Sequence, residues 1–169
     1  MVRQNASHEF GPIYDRESRI LILGSFPSVK SREQSFYYAH PRNRFWKVLA
    51  AICDEDEPQT VQMKKQFLHR QHIAVYDVIE SCSIEGSSDS SIRDVLPADL
   101  TPILEGSSVG GRIIANGGKA ASLYQKYIYP ETNIPAVKLP STSPANAAFS
   151  LDDLISVWGR KIRELLRNY

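Results

Sequence analysis

The sequence predicts an α/β fold built on a central, mostly parallel sheet of four strands. Three observations predict it. Four short runs are near-continuously apolar, as strands covered on both faces are. Helical patterns lie between those runs, the alternation that produces parallel sheets. The chain has 169 residues, 42% hydrophobic and 23% charged, which suits one compact domain spanning 1–169.

The strand candidates are 19–23 (RILIL), 73–78 (IAVYDV), 112–115 (RIIA) and 134–139 (IPAVKL). The helix candidates between them are 43–52, 60–71 and 119–127. The last helix, 151–168, sets Leu151, Leu154, Ile155, Trp158, Ile162, Leu165 and Leu166 on one face, and Ser150 with Asp153 forms a capping-box pattern at its start. The serine-rich stretch 86–91 reads as a surface loop, and Glu80 as a surface residue.

Several function classes fall away. No apolar run approaches the roughly 18 residues that span a bilayer, and the polar N-terminus lacks the apolar centre of a signal peptide. A cytoplasmic protein is expected, nuclear in a eukaryote. Cys53 and Cys82 are too few for a thiolate cluster, and the four histidines form no HxxxH spacing, so no metal and no disulfide are expected. Gly118-Lys119 lacks the earlier glycine of a phosphate loop, with Ile113 in its place, and no GxGxxG follows a strand. No cofactor is expected.

The net charge of +1 is unevenly spread. Residues 30–47 hold Lys30, Arg32, Arg42, Arg44 and Lys47 against Glu33 alone, and Asp54-Glu55-Asp56-Glu57 follows at once. A small phosphate-contacting face and a pair of solvated helix ends explain this about equally well.

In an open α/β sheet, ligands bind beyond the carboxyl ends of the strands. There the sequence places Gly24-Ser25-Phe26-Pro27-Ser28, Asp77, Asn116-Gly117-Gly118 and Pro140-Ser141-Thr142-Ser143-Pro144. Small residues and prolines make stiff loops that a ligand can approach closely.

Three of these blocks carry a resemblance. GSFPS after the first strand, AHPRNRFWKVL about a dozen residues later and LPSTSPANA after the last strand resemble the uracil-DNA glycosylase superfamily, with YDVIESC as a weaker match. The nearest branches are the hypoxanthine (deoxyinosine) DNA glycosylases and the mismatch-specific uracil enzymes. The resemblance implies a three-layer αβα domain and a monofunctional glycosylase that removes a deaminated base from double- or single-stranded DNA, hypoxanthine first. It would work as a monomer, without metal or cofactor. The alternatives are the same chemistry on uracil and a non-catalytic nucleic-acid-binding relative.

Site residues follow from the resemblance and the chemistry together. The mismatch-specific enzymes carry a catalytic Asn at the position of Phe26, which leaves Asn43 as the candidate to orient water through its carbonyl oxygen; capping the next helix is its competing role. Tyr38 matches the aromatic that stacks on the base, with Phe36 and Tyr37 left as packing. Phe26 would add an apolar wall. Asn116 would read the lactam edge of the base with one donor and one acceptor, against the bland role of a strand-ending turn. Ser141, Thr142, Ser143 and Pro144 would press on the DNA, with Arg42, Arg44 and Lys47 on phosphates. Gly24, Ser25, Pro27, Ser28, His40 and Asp77 would support the pocket.

Overall fold

A computed structural model describes residues 2–167. Its centre is a four-stranded parallel sheet in the order β3-β2-β6-β7, formed by β2 (Ile20–Gly24), β3 (Ile73–Asp77), β6 (Ile113–Asn116) and β7 (Val137–Leu139). Every residue of β2 and β3 is buried, because helices and loops cover both sheet faces. Each of the four predicted apolar runs supplies one of these strands, in parallel register throughout. The last is shorter than predicted, since Ile134, Pro135 and Ala136 lie ahead of the ladder.

The helices are α1 (Val29–Gln34), α2 (Phe45–Ile52), α3 (Val61–Arg70), α4 (Thr101–Glu105), α5 (Gly118–Leu123), α6 (Tyr129–Thr132) and α7 (Leu151–Arg167). A π-helical turn at Tyr124–Ile128 joins α5 to α6, where a single helix to 127 was expected. The capping box of α7 forms in both directions: Ser150 N–H donates to Asp153 Oδ2 and Asp153 N–H to Ser150 Oγ, each at 3.1 Å. Position 168, included in the predicted helix, lies outside the described residues. Trp158 of α7 is fully buried and donates its indole N–H to Pro140 O at 2.9 Å, which ties this helix to the loop after β7.

A second sheet was not expected. Strands β1 (Arg3–Ser7), β4 (Ile79–Glu85) and β5 (Arg93–Pro97) pair antiparallel in the order β1-β4-β5. After Asp77 the chain leaves the parallel sheet through Val78 and enters β4 at once. The N-terminal segment therefore runs beside the end of β3, with His8 N–H donating to Glu80 O at 2.7 Å. Glu80 is half-buried rather than a plain surface residue, and its Oε2 accepts the Tyr76 hydroxyl at 2.8 Å. Among the described residues no helix is long and apolar enough to cross a membrane.

Candidate active site

A cavity of about 340 Å³ opens at the carboxyl ends of β2, β3 and β6, near the lower bound for small-ligand pockets. Its floor is Gly24, the last residue of β2. A Cβ there would sit 2.5 Å from Asp77 Oδ1 and 2.9 Å from Tyr38 Oη, so only glycine lets both oxygens converge. Overpacking of this kind costs about 1–3 kcal/mol. Gly24→Ala is therefore expected to lower the melting temperature and to cut base release at least about tenfold, both measurable on one preparation.

Tyr38 is held in the left-handed region at φ 52°, a strained conformation for a non-glycine residue. Its ring stacks on Phe45 with centroids 3.9 Å apart, which covers one face of the phenol. Burial and the nearby Asp77 carboxylate push its pKa up, so the hydroxyl stays protonated. That hydroxyl is close enough to the Asn116 amide to feel it, yet it makes no hydrogen bond of good geometry and is buried without a partner. Phe26, 8% exposed, lines the cavity as an apolar wall; Phe36 and Tyr37 are core residues, although Tyr37 also reaches the cavity.

Asn116, Thr142 and Asn43 form one hydrogen-bonded chain. Thr142 N–H donates to Asn116 Oδ1 and Asn116 Nδ2 donates to Thr142 Oγ1, both at 3.0 Å. The Thr142 hydroxyl then donates to Asn43 Oδ1 at 2.8 Å. These bonds fix the orientation of the Asn116 amide and leave it one lone pair and one hydrogen. Thr142 is 1% exposed, so its expected contact with DNA is corrected: it links two amides beneath the loop.

Asn43 Oδ1 also accepts Phe45 N–H at 3.0 Å, which satisfies the start of α2. Arg44 is the N-cap residue of α2, so Asn43 holds the turn just ahead of the helix, not the cap itself, and its carbonyl oxygen holds two donors. This corrects the expected water contact through oxygen, because both lone pairs are committed. The Nδ2 group is the part of this amide without a protein partner among the described residues.

The basic residues divide differently from expectation. Arg44 donates to the carbonyls of Thr142, Ser143, Asn146 and Phe149, so it clamps the loop after β7 instead of meeting phosphate. Lys47 pairs with Glu57 at 2.9 Å. Arg42 is exposed and remains available to a phosphate. The loop itself is stiffened by serine turns: Ser141 Oγ accepts Ser143 N–H, and Ser143 Oγ accepts Ala145 N–H, each at 3.1 Å. Ser143 and Pro144 sit at the cavity rim.

The supporting residues also take definite places. Ser28 caps α1 by accepting Ser31 N–H at 3.1 Å, and Pro27 is buried beside it. His40 lines the cavity while its Nδ1 accepts Arg42 N–H at 3.1 Å. Ser25 donates to Asp89 Oδ1 at 3.0 Å. Asp89 belongs to the serine-rich stretch, which is therefore more than a surface loop: Ser87 and Asp89 both line the cavity. Asp77 pairs with His8, Nε2 to Oδ2 at 2.8 Å, with both side chains buried. His8 had carried no signal in the sequence, since nothing local marks a histidine in a polar N-terminal segment as a partner of the last residue of β3.

The chain is similar to known proteins in sequence and in fold. The family model described as the uracil DNA glycosylase superfamily matches residues 12–160. A hypoxanthine DNA glycosylase of Methanosarcina barkeri is 32% identical over 158 residues, covering 91% of this chain and 96% of its own. Another, from Methanosarcina acetivorans, is 34% identical over 145 residues, covering 83% and 89%. The solution structure of a Methanosarcina acetivorans protein, described as a candidate uracil DNA glycosylase, superposes with a TM-score of 0.75 at 31% identity over 92% of this chain and 96% of that one. A match of that length, with the cavity at the strand ends where α/β enzymes act, means that the chain belongs to the uracil DNA glycosylase superfamily and is a DNA glycosylase.

Proposed function

We propose that the protein excises hypoxanthine from DNA by hydrolysing the N-glycosidic bond of a flipped deoxyinosine, acting as a monomer and a single domain over residues 1–169. The observation that carries this reading is the Asn116–Thr142–Asn43 chain, which sets two oriented amides from different loops around one cavity. The bond is hidden in a duplex, so the nucleotide must turn out into the cavity. Hypoxanthine is favoured over uracil because Phe26 stands where the mismatch-specific uracil enzymes carry their Asn, and because the relatives reported above bear that name.

Bond cleavage builds positive charge on the sugar and negative charge on the departing base. Water then needs position more than deprotonation. An N–H from Asn43 Nδ2 to the water oxygen fixes its place and leaves a lone pair for the anomeric carbon. Tyr38 and Phe26 bracket the base, and the remaining donor and acceptor of Asn116 face its edge. Stacking on an aromatic contributes about 1–3 kcal/mol per base. Ser141, Ser143, Pro144 and Arg42 hold the DNA around the extruded nucleotide. Where the protein resides follows its substrate: the cytoplasm, or the nucleus in a eukaryote.

Single-turnover base release from duplexes carrying hypoxanthine, uracil, xanthine or ethenocytosine tests the reading. Hypoxanthine is expected to be released fastest, in EDTA as in magnesium. A protein that releases uracil faster, or no base at all, refutes it.

A further inference from the structure

An enzyme for hypoxanthine has one hard competitor. Guanine presents the same carbonyl and N1–H, and differs only by an amino group at C2. Contacts to the shared lactam edge cannot separate the two, so the distinction must be made beside N1.

The geometry points to His8 as a specificity-determining positioning residue: by occupying one oxygen of Asp77 it leaves that carboxylate a single free acceptor, enough for N1–H and insufficient for the neighbouring 2-amino group of guanine. This rests on the hypoxanthine reading above. Asp77 Oδ1 and Tyr38 Oη converge within 3 Å of where a Gly24 Cβ would be, at 2.5 and 2.9 Å, and Asp77 and Tyr38 both line the cavity. Among the described residues neither oxygen has a hydrogen-bond partner there. One is an acceptor. The other stays protonated but is sealed beneath the cavity floor, so Asp77 Oδ1 is the group a base meets. It accepts an N–H such as N1–H of hypoxanthine, which adenine lacks.

A free carboxylate would accept N1–H and the 2-amino N–H of guanine side by side, since carboxylates take such paired donors readily. Here Asp77 Oδ2 already receives His8 Nε2–H at 2.8 Å. The imidazole cannot swing aside. Its ring is packed by Phe10 at 4.7 Å, Tyr76 at 4.8 Å and Tyr37 at 5.6 Å between centroids, with Phe26 edge-on at 6.4 Å. A guanine in the cavity would thus bury an N–H without an acceptor. The same hydrogen bond draws charge from the carboxylate, which eases the build-up of negative charge on the leaving base.

The test measures single-turnover release of hypoxanthine, guanine and 2-methylhypoxanthine from duplex DNA by wild type, His8→Gln and His8→Ala, with melting curves alongside. The guanine to hypoxanthine ratio is expected to rise about tenfold or more in His8→Ala, matching the usual cost of an unpaired buried N–H. His8→Gln, which keeps an N–H donor, retains the wild-type ratio. Wild type releases 2-methylhypoxanthine at least about tenfold faster than guanine, because a methyl of similar size has no N–H to leave unpaired. A folded His8→Ala with an unchanged ratio, or a His8→Gln that shifts as far as His8→Ala, overturns the role of His8. Should His8→Ala fail to fold, equal rejection of 2-methylhypoxanthine and guanine by wild type overturns it in favour of simple steric exclusion. A wild type that releases no hypoxanthine defeats the substrate reading itself, a separate result visible in the first lane.

Discussion

Asn43→Ala is expected to lower single-turnover base release by a factor of about 100 or more, the scale on which positioned catalytic groups act. The same change removes the acceptor of Phe45 N–H and of the Thr142 hydroxyl, so a loss of about 1 kcal/mol in stability should accompany it. Asn43→Asp separates the two effects. Its carboxylate still accepts both hydrogen bonds and should melt near the wild type, while it lacks the Nδ2 donor. If positioning through Nδ2 is what matters, Asn43→Asp stays at least about tenfold slower than wild type. A full rate in Asn43→Asp would return the water to an oxygen contact, and a full rate in Asn43→Ala would leave Asn43 with only its structural role in the turn ahead of α2.

The second large effect is at Arg44. Its guanidinium holds four carbonyls between Thr142 and Phe149, two of them at 2.8 and 3.0 Å, and its own backbone N–H donates to Thr142 O at 3.0 Å. Hydrogen bonds to a charged donor contribute about 1.5–3 kcal/mol each when buried, and this side chain is half-exposed, so Arg44→Ala should cost about 2–4 kcal/mol in total. For a chain of this size that is roughly 5–15 °C in melting temperature. Activity should fall further than stability predicts, because a loosened loop releases Thr142 from both amides. Lysine cannot reproduce the planar fork, so Arg44→Lys should rescue little. Arg42→Ala provides the contrast: an unchanged melting curve and a salt dependence of DNA binding shallower by about one ion. An Arg44→Ala protein of wild-type stability with only weakened DNA binding would restore Arg44 to the phosphate contacts.

The parallel sheet was legible because burial on both faces demands near-continuous apolar runs, and the predicted runs 19–23, 73–78 and 112–115 meet that demand in sequence alone. The last helix was legible for a similar reason, its apolar stripe and capping box both being local patterns. The antiparallel sheet was not. Its outer strands, RQNAS and RDVLP, are mostly exposed or half-buried and carry polar and charged residues, so neither period nor propensity marks them.

The candidate cavity was legible to the extent that an α/β sheet sends its ligand to the carboxyl ends of its strands. Gly24, Asp77, Asn116 and Ser141 were found that way, Asn43 came from the resemblance, and all five line it. The residue types alone fix what each can donate or accept. Which partner each one takes depends on contacts across great chain distances. Asn43 and Thr142 are 99 positions apart, His8 and Asp77 are 69 apart, and Arg44 reaches carbonyls 98 to 105 positions away. A hydrogen bond has a short reach and a strict angle, so its partner is settled only when packing brings the chain together. The sequence by itself therefore determined the sheet, its ligand-bearing end and the family. Only the tertiary structure decided that Arg44 and Thr142 hold the loop, that the Asn43 oxygen is taken, and that a histidine from the first strand's end stands behind the cavity.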